Sequence, residues 1–102
     1  MSRWLGRVVR RVRGSAACGA VRFTLKAKDE IAELGVPFDA RECLSVLSRL
    51  QTRDFRARVW SEPTAEWLYV FGTRAHGELL YIKVALRQTC CVISFHAEEG
   101  EA

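Results

Sequence analysis

A chain of 102 residues and 11.6 kDa has room for one domain with a single modest core. Its 49% apolar and 27% charged residues are the balance of a globular protein. No uninterrupted apolar run is long enough for a membrane span or a signal peptide, which points to a cytoplasmic protein with no membrane association. The net charge of +4 favours polyanionic partners, and thirteen of the sixteen cations are arginine, the side chain suited to planar contact with phosphate.

The cations crowd the start of the chain. Residues 1–28 carry eight Lys or Arg and no acid, whereas residues 97–102 form an acidic tail. Residues 3–13 set Trp4, Leu5, Val8, Val9 and Val12 at helical spacing among Arg3, Arg7, Arg10, Arg11 and Arg13. This predicts a basic amphipathic helix within the N-terminal segment 1–17, stopped by Gly14 and packed on the core, with a basic arm that contacts RNA or a partner as the alternative. Val21–Thr24 reads as a short extended piece. Leu25–Leu34 reads as a helix that starts near Thr24 and stops at Gly35. Asp39 and Glu42 have the spacing of a capping box, which predicts a helix from there to about Gln51 on a stripe of Leu44, Leu47 and Leu50. Cys18, Cys43, Cys90 and Cys91 match neither metal-ligand nor disulfide spacing and read as free thiols, so no metal or cofactor is expected.

The second half alternates with period two. Phe55–Trp60 and Glu66–Phe71 read as strands split by Ser-Glu-Pro-Thr, with a turn over Gly72–Gly77. In GELLYIKVALR (residues 77–87), Leu80, Ile82, Val84 and Leu86 alternate with Tyr81, Lys83, Ala85 and Arg87, and residues 91–96 alternate likewise. Pairing the last two strands through Gln88–Thr89 sets Tyr81 opposite His96 and Lys83 opposite Ser94. A loop over residues 61–65 sets Arg58 opposite Leu68, and the turn at 72–77 sets Leu68 opposite Tyr81. One face then holds Phe55, Ala57, Val59, Trp67, Tyr69, Phe71, Leu80, Ile82, Val84, Leu86, Cys91, Ile93 and Phe95. The other carries Arg56, Arg58, Glu66, Leu68, Tyr81, Lys83, Arg87, Ser94 and His96. The expected fold is a single α+β domain over residues 1–102. It is an antiparallel sheet of about four main strands with two to three N-terminal helices packed on one face.

The polar face suggests chemistry. No Ser–His pair sits beside a nucleophile elbow, two histidines without an acid cluster do not make a hydrolytic metal site, and no Gly-rich phosphate loop is present. Cleavage of RNA by its own 2′-hydroxyl needs only a proton acceptor, cations for the phosphorane charge and an acid for the leaving 5′-oxygen. His96 can act as acid or base, the charges of Arg56, Arg58 and Lys83 favour a phenolate at Tyr81, and those cations can hold the scissile phosphate. A solvated sheet surface is the alternative for the same residues.

The segments CGAVRFT (18–24), ELGVPFD (33–39), RDF (53–55), EWLYVF (66–71), GELLYIKVALR (77–87) and CVISFH (91–96) resemble, in order and spacing, the MqsR-type toxins of bacterial toxin–antitoxin pairs. That resemblance implies a RelE-like fold and a ribosome-independent messenger-RNA interferase that cuts single-stranded mRNA at short sequences and arrests growth. It also implies a cognate, DNA-binding antitoxin protein as partner. A ribosome-dependent interferase and a non-catalytic RNA- or protein-binding relative are the alternatives. The family's catalytic tyrosine matches Tyr81. Its lysine two residues after Asp-Phe falls on Ala57, so that Arg56 or Arg58 would replace it. Its glutamine falls on Leu68, and its lysine after Ser-Phe falls on His96. The candidate catalytic set is therefore Tyr81, His96, Arg56, Arg58 and Lys83, with Arg74 and Arg87 on flanking phosphates.

Overall fold

In the computed structural model, which describes residues 2–98, the N-terminal helix α1 (Arg3–Ala17) buries Val8, Val9, Val12 and Ala16 on one stripe and leaves its five arginines exposed. The predicted stop at Gly14 is corrected. One glycine inside a helix costs only about 1 kcal/mol, and the next turn carries Ala16 into the core. The helix ends at Gly19, whose φ of 73° lets its own N–H donate to Ala16 O (3.2 Å) and that of Ala20 to Ser15 O (2.8 Å).

Strand β1 (Val21–Phe23) passes directly into helix α2 (Leu25–Leu34) through Thr24. Its N–H extends the strand pairing by donating to Val92 O (3.1 Å), while its Oγ1 accepts from Ala27 N (3.1 Å) and caps the helix. Helix α3 (Ala40–Ser48) starts at Asp39, whose Oδ1 accepts from Glu42 N (2.8 Å). The reciprocal half of the expected capping box is absent, because the Glu42 carboxylate accepts from His76 Nε2 instead (2.7 Å).

The described residues form a five-stranded sheet in the order β1-β5-β4-β3-β2, with β2 (Phe55–Ser61), β3 (Glu66–Ala75), β4 (Glu78–Leu86) and β5 (Cys90–Ala97) as the expected antiparallel meander. The sheet is mixed, since β1 joins the β5 edge as a parallel strand. Beyond the end of β1, α2 covers that same edge: Glu30 Oε1 accepts the outward Phe95 N–H (3.0 Å). The β3–β4 turn is only two residues, His76 and Gly77, both at positive φ (52° and 79°), the geometry that matches strand twist. Both strands are therefore longer than predicted and Leu68 faces Ala85 rather than Tyr81, a shift of four that leaves every side chain on its expected face.

Two other connections do change faces. The β2–β3 loop has four residues, pairing Ser61 with Glu66 and Arg58 with Tyr69. A one-residue slip turns a strand over. Arg58 and Trp60 thus join the helix-covered side, and Ala57 and Val59 face away from it. A bulge at Arg56 restores Phe55 to its pairing with Phe71. In β5, a three-residue loop before Cys90 and a bulge at Ile93 put Cys90, Val92 and Phe95 in the core and Cys91 on the other face, while Tyr81 still pairs with His96 and Lys83 with Ser94. Phe71, Leu80, Ile82, Val84, Val92 and Phe95 meet Val12, Cys43 and Leu47 from the helices, and Leu50 just past the end of α3 at Ser48, in one core. Val70, Ala85 and Cys91, although buried, stand outside that cluster on the opposite face.

Gly14, inside α1, and Gly19, just past its end, should respond in opposite directions. Neither has an atom within 4 Å of a built Cβ. Gly14→Ala should stabilise the protein by about 0.5–1 kcal/mol in urea unfolding, and Gly19→Ala, which forces alanine into the left-handed region, should destabilise it by about 1 kcal/mol.

Candidate active site

The face away from the helices is built in cross-strand rows. Gly72, Tyr81 and His96 form one, and Val70, Lys83 and Ser94 the next, with Ala57 beside Val70. Tyr81 and His96 are directly paired, and their rings stack with centroids 4.9 Å apart and planes 16° from parallel. His96 Nδ1 lies 2.8 Å from Ala97 O. A carbonyl only accepts, so Nδ1 carries the hydrogen, and Nε2 of the neutral ring keeps its lone pair for another group. Lys83 Nζ stands 5.9 Å from the centre of the Tyr81 ring.

Arg56 reaches this row because of two local features. The bulge removes it from the regular alternation and re-aims its side chain. Gly72 then leaves the space it crosses, since a Cβ built on Gly72 overlaps the Arg56 guanidinium. Arg56 Nη1 also meets Glu98 Oε1 at 3.3 Å. A lone glycine within an aromatic strand signals such a close approach, whereas the expectation of a turn over Gly72–Gly77 leaves Gly72 out of the candidate site. Ser94, 2% exposed, is satisfied by Lys26 Nζ (2.8 Å), which also pairs with Glu30 Oε2 (2.8 Å). Burial works to raise the Glu30 carboxyl, but the Lys26 ammonium, the Phe95 amide and His96 together outweigh it and hold it below its usual range. Glu30, Glu33, Leu34 and Ala97 flank His96 in a cleft of about 280 Å³.

The remaining predicted residues separate into two groups. Arg74 is exposed on the same face as Gly72, two residues further along β3. Arg87 lies at the far end of β4, about 20 Å along the strand from Tyr81, and is engaged by Glu66 through Nε (3.0 Å) and Nη2 (2.6 Å). Arg58 is corrected to the opposite side of the sheet, where its guanidinium lies over Trp4 (4.6 Å) and Trp67 (4.3 Å). Among the described residues no group of three or more His, Cys, Asp or Glu gathers where it can hold a metal ion. The site face thus joins a stacked phenol–imidazole pair to Arg56 and Lys83, with Arg74 alongside.

Hydrogen bonds from Arg87, with Thr64 adding, push the Glu66 carboxyl down to about 2. A folded value below the unfolded one means that the pair's contribution to stability is complete above the ordinary glutamate range and is lost as pH falls through about 2. A carboxyl NMR titration should place Glu66 near 2, and Arg87→Ala should return it to about 4.3. Burial pushes the Cys43 thiol up to about 12 and Cys90 up to about 11. Exposed Cys18 should therefore react with iodoacetamide at pH 7.5 while Cys43 and Cys90 stay unmodified until the protein unfolds.

A model of the family described as motility quorum-sensing regulator, toxin of MqsA, matches residues 8–97, nearly the whole chain. No curated protein matches it. The matched span takes in α1 from Val8 onward, every strand and all the residues of the Tyr81–His96 face except Glu98. The chain belongs to the MqsR toxin family and is a toxin of a toxin–antitoxin system, which implies an antitoxin as its partner.

Proposed function

We propose that this toxin is a ribosome-independent endoribonuclease that cuts single-stranded mRNA in the cytoplasm through attack of the 2′-hydroxyl on the adjacent phosphorus. The observation that carries the reading is the stacked Tyr81–His96 pair beside Arg56 and Lys83 on the sheet face opposite the core. The 2′-hydroxyl gives its proton to His96 Nε2 as its oxygen bonds to phosphorus. The phosphorus–5′-oxygen bond breaks, and the leaving oxygen takes the Tyr81 hydroxyl proton. A 2′,3′-cyclic phosphate and a 5′-hydroxyl result. Lys83 and Arg56 hold the non-bridging oxygens as charge builds on them, and Arg74 holds a neighbouring phosphate. None of these steps needs a metal.

Two departures from the family pattern are accommodated on this face. Ala57 points to it beside Val70, next to the Lys83 row, so its missing ammonium falls where Arg56 and Lys83 already supply charge. Leu68 lies two residues from Val70 and offers an apolar contact in place of an amide. Its antitoxin is a DNA-binding protein on this reading.

Purified protein with an RNA oligonucleotide pool in EDTA should yield fragments ending in cyclic phosphate. Tyr81→Phe and His96→Ala should each lower the single-turnover rate by about 100- to 10,000-fold. Gly72→Ala should lower it as far as Arg56→Ala does, because the added methyl displaces the same guanidinium. Arg58→Ala, on the other side of the sheet, should stay near wild type. Absence of cutting on naked RNA with cutting on translating ribosomes would replace this reading with a ribosome-dependent one.

A further inference from the structure

Strand β2 ends the sheet, so the outward N–H and C=O groups along one side of Phe55–Ser61 have no strand partner. Its side chains are unusual for such a position. Val59 (47% exposed), Trp60 (43%) and, on the neighbouring strand, Trp67 (40%) are large apolar groups left in water. Trp60 and Trp67 meet edge to face with centroids 5.2 Å apart, and Arg58 lies between the rings of Trp67 and Trp4. Arg58 takes part in none of the ion pairs among the described residues. An exposed edge strand, a tryptophan pair and an unneutralised arginine held rigid by stacking make three adjacent recognition elements.

We propose that the outer edge of β2 is a docking strand for an acidic, extended segment of a protein partner, which adds a sixth strand to the sheet. Its backbone would pair with Ala57–Ser61, a carboxylate would meet Arg58, and apolar side chains would cover Val59 and Trp60. The charges select this occupant. A second copy of the chain paired antiparallel about Arg58 would set the two Arg58 side chains face to face. Like charges directly opposite destabilise a strand pair, so the edge is protected against itself but not against an acidic strand. Nearby α1 strengthens the bias, since Arg3 and Arg7 are exposed within a turn of Trp4. RNA is the less suitable occupant: it cannot use a strand's alternating donors and acceptors, and the Trp67 face that a base would stack on is covered by Arg58. The antitoxin that family membership implies is a partner of the required class. Docking on β2 leaves Tyr81 and His96 uncovered, so this surface is separate from the proposed cleavage chemistry and is testable without it.

The test is a ¹⁵N amide titration of the intact protein with the peptide Glu-Val-Glu-Val-Glu-Val-Glu, set against its Lys-Val counterpart and an RNA oligonucleotide. The acidic peptide should shift the amides of Ala57–Ser61 and the indole N–H groups of Trp60 and Trp67. Arg58→Glu should weaken that peptide by about tenfold or more and transfer the preference to the lysine peptide. Trp60→Ala, a truncation at an exposed site that spares the core, should also lose the shifts. Equal response to the lysine peptide, or no response along β2, would overturn the proposal. So would shifts at these amides with RNA alone, or with protein concentration alone, the latter marking self-pairing.

Discussion

Burial of one face of the sheet under the helices constrains every other feature of this molecule. Phe71, Leu80, Ile82, Val84, Val92 and Phe95 come from three adjacent strands and are fully buried beneath the helices. Truncating such a phenylalanine costs about 3–5 kcal/mol, so the strands are held to registers that keep these groups inside. Because strand side chains alternate, the same registers decide which residues face outward. Tyr81, Lys83, Ser94 and His96 share a surface because Leu80, Ile82, Val84 and Phe95 must share a core. The site is the reverse side of the packing problem.

Where loop length conflicts with that packing, a bulge resolves it. The β2–β3 loop and the loop before β5 each leave the alternation one residue out of step, and Arg56 and Ile93 absorb the difference. The first of these irregularities has a chemical result. An arginine in regular alternation at position 56 would stand over β2 itself, whereas the bulged one crosses Gly72 toward Tyr81. Strand edges follow the same economy of parts. Glu30 satisfies the Phe95 amide on the β5 edge while meeting Lys26, which in turn satisfies buried Ser94. At the other edge, β2 is left bare, with charge rather than a covering element to discourage its own kind.

The placement of the candidate site was legible where both paired strands were long and strictly alternating. Tyr81 opposite His96 and Lys83 opposite Ser94 followed from apolar residues at every second position, and an error of four in the β3–β4 turn did no harm because four is even. Arg58 was misplaced because a five-residue loop and a four-residue loop look alike in Ser-Glu-Pro-Thr, yet differ by the one residue that turns a strand over. Nothing in β2 corrected the error: none of its residues is buried and only half-buried Phe55 packs against the core, so its pattern carries little information about faces. Cys90 and Cys91 were exchanged for a similar reason, being identical neighbours on either side of an alternation.

Periodicity, helix signals and ordered segments in the sequence by themselves determined the α+β class, the meander, the basic helix on the core and membership of the MqsR family, because these depend on local pattern and composition. Only the tertiary structure decided that Gly14 lies within a helix, that Arg58 stacks on tryptophan behind the sheet, that Gly72 admits Arg56 to the Tyr81 row, and that Ala57 faces outward. Each depends on a count of one residue in a loop or on the shape of a distant neighbour. Such differences cost little in local propensity, and packing over the whole sheet chooses between them.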